Sequence, residues 1–154
     1  MKGHLWTTLA MLAAIGCGLS AGLFFIFSNT IMRAFDRLPA AGAIAAMNSI
    51  NRVILNPLFF LVFFGTALLC LALLVSQLDS PLIVAGSLFY LIGSIGITMV
   101  CNVPLNDRLA KVSPSSDDME AQWRAYRGPW TRWNHVRTVA CLLAAAAFTV
   151  AIAR

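Results

Sequence analysis

The chain has 154 residues; 60% are apolar, 11% are charged, and the formal net charge is +5. A soluble domain carries roughly 25% charged residues, so a soluble enzyme and a disordered tail are both excluded. A nucleic-acid reader is excluded too, because the basic residues do not form the dense stripe such proteins present.

The composition predicts one all-α transmembrane domain over residues 1–154. A helix needs about 20 apolar residues to cross roughly 30 Å of hydrocarbon. Three apolar runs meet that length, at about 5–32, 57–76 and 81–101; a fourth, Thr138 to Ala153, is short but is extended as helix by Pro129 to Arg137, which gives a fourth span at about 130–153. The expected architecture is a four-helix bundle with short interfacial helices in loops 1–2 and 3–4.

The first run is uncharged from Leu5 to Met32. It outlasts the 7–15 apolar residues of a secretory signal, so it reads as a span despite the lipoprotein-like box Ala14-Ile15-Gly16-Cys17. Gly18-x-x-x-Gly22 and Gly16-x-x-x-Ser20 permit close approach of another backbone. Together with Gly86, Gly93 and Gly96 of the third run, they predict that spans one and three are packed neighbours. The same motifs equally suit contacts between copies, hence a homo-oligomer.

Residues 39–52 are alanine-rich and too short to span. Asn48, Asn51 and Arg52 stand at i, i+3 and i+4 and share a helical face. This predicts a short helix at the interface or folded back over the bundle. The second span opens at Asn56-Pro57, a capping amide before a proline at the first helical position, and the third opens likewise at Ser80-Pro81. The third ends in Asn102-Val103-Pro104-Leu105-Asn106-Asp107-Arg108, where Pro104 is expected to break the helix and leave non-helical backbone against protein or water. A polar turn over Ser113 to Asp118 and a short helix over Met119 to Arg127 follow. Gly128-Pro129 then starts the fourth span, in which Trp130, Trp133, Asn134 and Arg137 make one stripe and Arg132 and His135 a neighbouring one.

Nine basic residues fall on the face carrying loops 1–2 and 3–4, against Lys2 and Arg154 on the other. The positive-inside rule then puts those loops in the cytoplasm and both termini outside, as in a bacterial inner-membrane protein. Asn29, Asn48, Asn51, Asn56, Asn102, Asn106 and Asn134 all lie towards this loop face, as do Trp123, Trp130 and Trp133. Interfacial anchoring alone would spread tryptophan over both ends. The clustering predicts a polar pocket at the loop face. The competing reading is structural, with amides capping helices and arginines meeting lipid phosphates.

Several chemistries are not expected. His4 and His135 sit at opposite ends, which leaves no metal centre or bis-histidine haem. None of the six acids lies in a span, unlike a proton-coupled exporter. Cys17, Cys70, Cys101 and Cys141 make no C-x-x-C pair and read as small buried residues.

Phe24-Phe25-Ile26-Phe27-Ser28, then Met47-Asn48-Ser49-Ile50-Asn51-Arg52 with Asn56-Pro57, then Asn102-Val103-Pro104-Leu105-Asn106, then Trp123 through Trp133-Asn134-His135-Val136-Arg137 occur in that order. In this ordered set, from about Leu9 to Ala151, the chain resembles the anthrone oxygenase-like family of small four-span membrane proteins. Asn48 departs slightly, since glutamine is more usual there. The resemblance implies oxidation of anthrone-like phenols to quinones by molecular oxygen, with no cofactor.

Such a reaction needs a base, donors for an oxyanion and a flat apolar wall. His135 is the candidate base. Arg52 and Arg137 are candidates to hold the oxyanion, with Asn51, Asn102 and Asn106 as donors. Trp130 and Trp133 are candidates to stack on the rings, and Asn48, Asn56 and Asn134 complete the substrate-binding set. The expected partners are a small aromatic or lipid-like ligand and membrane lipid, with no nucleic acid. The alternative is a non-enzymatic module that binds a lipid, a quinone or a partner helix through the same cluster.

Overall fold

The computed structural model describes residues 2–113 and 118–154. Four helices are long and apolar enough to cross a membrane: His4–Phe35, Pro57–Ser76, Pro81–Ala110 and Met119–Ala153. The protein is an all-α integral membrane bundle. In chain order, α1 (Lys2–Ile26) passes through a π-helical turn at Phe27–Ile31 into α2 (Met32–Phe35), so the two form one span helix. Next come α3 (Ala40–Val53) and α4 (Pro57–Ser76). The third span helix is α5 (Pro81–Tyr90), π-helical segments at Leu91–Gly96 and Thr98–Asn102, and α6 (Val103–Ala110). The fourth is α7 (Met119–Ala153).

Each of α1 and α5 packs against both α7 and α4, which puts spans one and three on a diagonal. This corrects the expectation that they are neighbours. Their small residues serve other partners: Gly16 lies against Thr66 of α4, Gly86 against Ala144, Ala147 and Phe148 of α7, and Gly93 against Ala140. Gly18 and Gly22 have open space beside them and carry no contact within the bundle. Spans one and three touch through a long side chain instead. The Tyr90 hydroxyl donates to the Phe63 carbonyl at 3.0 Å and lies 3.1 Å from Ser20 Oγ.

The core has two parts. One is built on Cys17, Cys70, Leu73, Tyr90, Cys141 and Phe148 in the middle of the bundle. The other, at the loop face, gathers Phe27, Met32, Met47, Leu109, Trp123, Tyr126 and Trp130. The α3 helix is folded back over the bundle. Its Ala40, Ala43, Ile44 and Met47 face is buried, and it packs on α6 and α7.

Two expected breaks do not occur. Helix α7 runs unbroken through Gly128-Pro129, so the short helix expected over Met119 to Arg127 is its first part. At 1.5 Å per residue its 35 residues reach about 52 Å, well beyond the hydrocarbon. The carbonyl that Pro129 leaves free, on exposed Ala125, therefore lies where water can bond it. The third span helix is likewise continuous through Pro104. The π-helical segment Thr98–Asn102 immediately precedes it. Widening that turn gives room where a proline ring would meet the preceding carbonyls of an α-helix. Of the expected polar turn, residues 114–117 lie outside the described residues.

The buried stripe of α7 is Trp123, Tyr126, Trp130, Asn134, Arg137, Cys141, Ala144 and Phe148, in steps of three and four. Trp133 is not part of it and is 39% exposed.

Candidate functional site

A cavity of about 380 Å³ opens at the loop face between all four span helices and α3, within the size range of small-molecule sites. Asn48, Asn51 and Arg52 enter it from α3, Asn106 and Asp107 from α6, and Trp130, Asn134 and Arg137 from α7. Phe24 and Phe27 of the first span helix and Phe59, Phe60, Phe63 and Phe64 of α4 form its apolar wall.

Seven of the expected site residues therefore meet in one place, and four do not. Asn56 caps α4: its Oδ1 accepts from the Phe59 backbone N–H at 3.0 Å. Asn102 is fully buried behind the wall and donates to the Trp130 carbonyl at 3.2 Å. Trp133 faces outward. His135 lies in a separate, outward-facing apolar groove between α5 and α7, beside Leu88, Phe89, Ile92 and Val139. An imidazole there does not reach a ligand in the cavity, which removes the geometric basis for His135 as the base.

Arg137 is 5% exposed and lies at the inner end of the cavity. Its Nη2 donates to Asn134 Oδ1 at 2.6 Å and its Nη1 to Thr98 Oγ1 at 3.1 Å. Asn134 Nδ2 donates in turn to the Phe24 carbonyl and to Ser28 Oγ, both at 2.7 Å. Thr98 and Ser28 each sit in a π-helical turn, and such turns recur at functional sites because they redirect backbone and side chains. The guanidinium also lies 4.1 Å from the Phe24 ring centroid and 5.4 Å from that of Trp130, so the ring faces attract the cation.

All of these partners are neutral. Among the described residues no carboxylate pairs with Arg137; an ion pair of Arg127 with Asp36, at 2.6 Å and partly exposed, lies elsewhere. Removing a charge from water without an opposite one costs several kcal/mol. Unused donors point the same way. Arg137 Nε, Trp130 Nε1 and Asn51 Nδ2 are buried without a partner, as is the acceptor Asn48 Oδ1, and all four belong to cavity-lining residues. Buried polar groups in native proteins are otherwise nearly always bonded.

Sequence reasoning missed the wall and the positioning groups. The phenylalanines of α4 were legible only as apolar filling, although Phe59/Phe63 and Phe60/Phe64 carry i, i+4 spacing and stack at 5.2 and 5.8 Å. Thr98 gave no signal; Ser28 and Tyr126, whose hydroxyl donates to Asn106 Oδ1 at 2.9 Å, stand within the family-like motifs but had no role assigned. Asp107 was visible but unassigned; it is the carboxylate that lines the cavity.

The family model described as anthrone oxygenase matches residues 52–147, well over half of the chain. The chain belongs to that family. The match takes in Arg52, Asp107, Trp130, Asn134 and Arg137 and leaves Asn48 and Asn51 outside it. No curated protein matches the chain, and no solved structure does.

Proposed function

We propose that the cavity binds a phenolic, anthrone-like aromatic as its oxyanion against Arg137 and lets that anion react with molecular oxygen. One observation carries the reading: a buried guanidinium, bonded only to neutral partners, closes the inner end of a cavity walled by aromatic rings. An anionic ligand oxygen there supplies the missing opposite charge, and the unpaired Trp130 Nε1 offers a further donor.

The chemistry balances without a further reductant. Loss of a proton from the phenol or the activated methylene gives a delocalised anion. That anion passes one electron to dioxygen, the radical pair joins through a C–O bond as a peroxide anion, and this takes back the proton lost first to give the hydroperoxide. Loss of the remaining C–H proton with cleavage of O–O releases water and leaves the quinone carbonyl. The role of the chain is to favour the anion, hold the ring flat and exclude water. Asp107, at the outer part of the cavity, takes the place of His135 as proton acceptor. The bias of basic residues towards the loops supports a cytoplasmic position for this end of the bundle.

The test is oxygen consumption by purified protein with a panel of hydroxylated anthrones, wild type beside Arg137→Gln. Expected is turnover with one oxygen consumed per quinone formed, and a fall of about 10²–10³-fold in the variant, the usual effect of losing one oxyanion partner. Tight binding with no oxygen uptake would replace this reading with a non-enzymatic binding module. Absence of both binding and turnover would remove the cavity from consideration as a phenol site.

A further inference from the structure

We infer that the cavity is loaded sideways from the bilayer, through a portal between α4 and the third span helix rimmed by Phe60, Phe64 and Met99, so that its ligand is a membrane-dissolved phenol. The inference rests on the cavity being a phenol site, as proposed above, and not on oxidation taking place there.

The rim residues carry the argument. Phe60, Phe64 and Met99 all line the cavity, yet are 41%, 42% and 54% exposed. A side chain that meets both the cavity and the outer surface stands at an opening. The depth of that opening follows from α4, whose 20 residues make about 30 Å of helix and match the hydrocarbon thickness. Phe64 is seven residues past Pro57, about 10 Å along the axis. The rim thus descends about a third of the way into the apolar layer.

The helix packing produces the gap. Helix α4 packs along α5 and meets the segment Leu91–Gly96, but has no comparable contact with Thr98–Asn102. The two helices are together over the far half of the membrane and part at the level of Met99.

Rings mark the path inward. Phe64 lies 5.3 Å from Phe63, Phe63 lies 6.3 Å from Phe24, and Phe24 sits under the Arg137 guanidinium at 4.1 Å. A neutral phenol arriving from lipid slides along apolar faces and meets a positive charge only at the end. The phenol gives up its proton only inside the cavity, to Asp107 as proposed above, and no charged species crosses the apolar portal.

Vesicle-reconstituted protein and 1-naphthol test this by stopped-flow binding, with 1-naphthol-4-sulfonate, which keeps the phenol but stays in water, as the comparison probe. Expected is that Phe64→Trp combined with Met99→Trp slows naphthol association and dissociation alike by tenfold or more. Both positions face lipid, so the variant keeps its fold; Phe64→Ala is a second variant and should speed both rates. Ala110→Trp, on the water side of the cavity, should leave them alone, and the sulfonate should bind at least tenfold more slowly than naphthol. Equal association rates for the two probes, or slowing by Ala110→Trp and not by the portal pair, would overturn sideways loading. Failure of naphthol to bind at all would overturn it together with the phenol site. Portal effects without oxygen uptake on anthrones would leave it standing and remove only the oxidation.

Discussion

Arg137 donates to Asn134 Oδ1 at 2.6 Å across one turn of α7, and the same amide donates to the Phe24 carbonyl of α1. It donates to Ser28 Oγ as well, so the guanidinium is aimed by an element that is itself fixed to a second helix. Asn134 is a positioning residue. Asn134→Ala should lower stability by about 1–2 kcal/mol, since interhelical hydrogen bonds in membranes are worth about 0.6 kcal/mol on average and up to about 1.7. Beyond that, loss of aim should reduce kcat more than it raises KM for an anthrone. Thermal melting together with steady-state kinetics separates the two effects, because a purely structural role moves the melting temperature alone.

Thr98 accepts from the other end of the guanidinium at 3.1 Å. Thr98→Asp would place a carboxylate at the one charged group of the inner cavity. A buried arginine gains from an opposite charge, so the variant should melt no lower than wild type. Phenolate binding should fall by tenfold or more, because the site is already neutralised. Unchanged affinity in titrations with 1-naphthol would mean that the ligand oxygen does not meet Arg137.

The two candidate bases make opposite predictions. His135 belongs to the outward groove and Asp107 to the cavity. His135→Ala should leave anthrone turnover within about twofold. Asp107→Asn should reduce it by about 10²-fold or more, the lower range for a general base. The reverse outcome would place the reacting atom in the groove between α5 and α7.

The fold was legible because a bilayer allows few solutions. Uninterrupted apolar length identified the first three spans, and Asn56-Pro57 and Ser80-Pro81 marked two starts to the residue. The face shared by Asn48, Asn51 and Arg52 was legible for the same kind of reason, since a helical period alone brings them together. Pro104 and Pro129 misled because proline's effect depends on its surroundings: one follows a widened turn and the other sits where water reaches. His135 and Trp133 misled because neighbouring stripes on one helix differ by small angles. Only the helices packed around α7 decide which stripe turns inward. The π-helical turns that bring Thr98 and Ser28 to the site have no residue pattern that announces them.

Asn56 separates structural from functional asparagine. It stands near the cavity residues in sequence, but its side chain is spent on the first turn of α4, accepting from Phe59 and donating to the Val53 carbonyl at 3.1 Å. Asn56→Ala should cost about 1 kcal/mol, the usual value of an N-cap, and leave naphthol affinity unchanged. Asn56→Ser should recover most of the stability. A change in affinity without a change in melting would instead make Asn56 a ligand contact.

Glycines of similar appearance in the sequence should respond very differently to the same substitution. A methyl on Gly93 would run into the methyl of Ala140, which has no torsion with which to turn aside, so the third span helix and α7 would have to separate. Overpacking of this kind costs about 1–3 kcal/mol, and Gly93→Ala should show it as a lower melting temperature. Gly22 has nothing within 4 Å of a methyl, and within the bundle Gly22→Ala should be neutral or slightly stabilising, because alanine is the better helix former by about 1 kcal/mol. The pair also separates intramolecular from intermolecular packing. If Gly22→Ala proved as damaging as Gly93→Ala, with a shift to smaller species in detergent sedimentation, the Gly18-x-x-x-Gly22 face would be in use between copies of the chain. A harmless Gly22→Ala, with sedimentation unchanged, assigns that face to lipid.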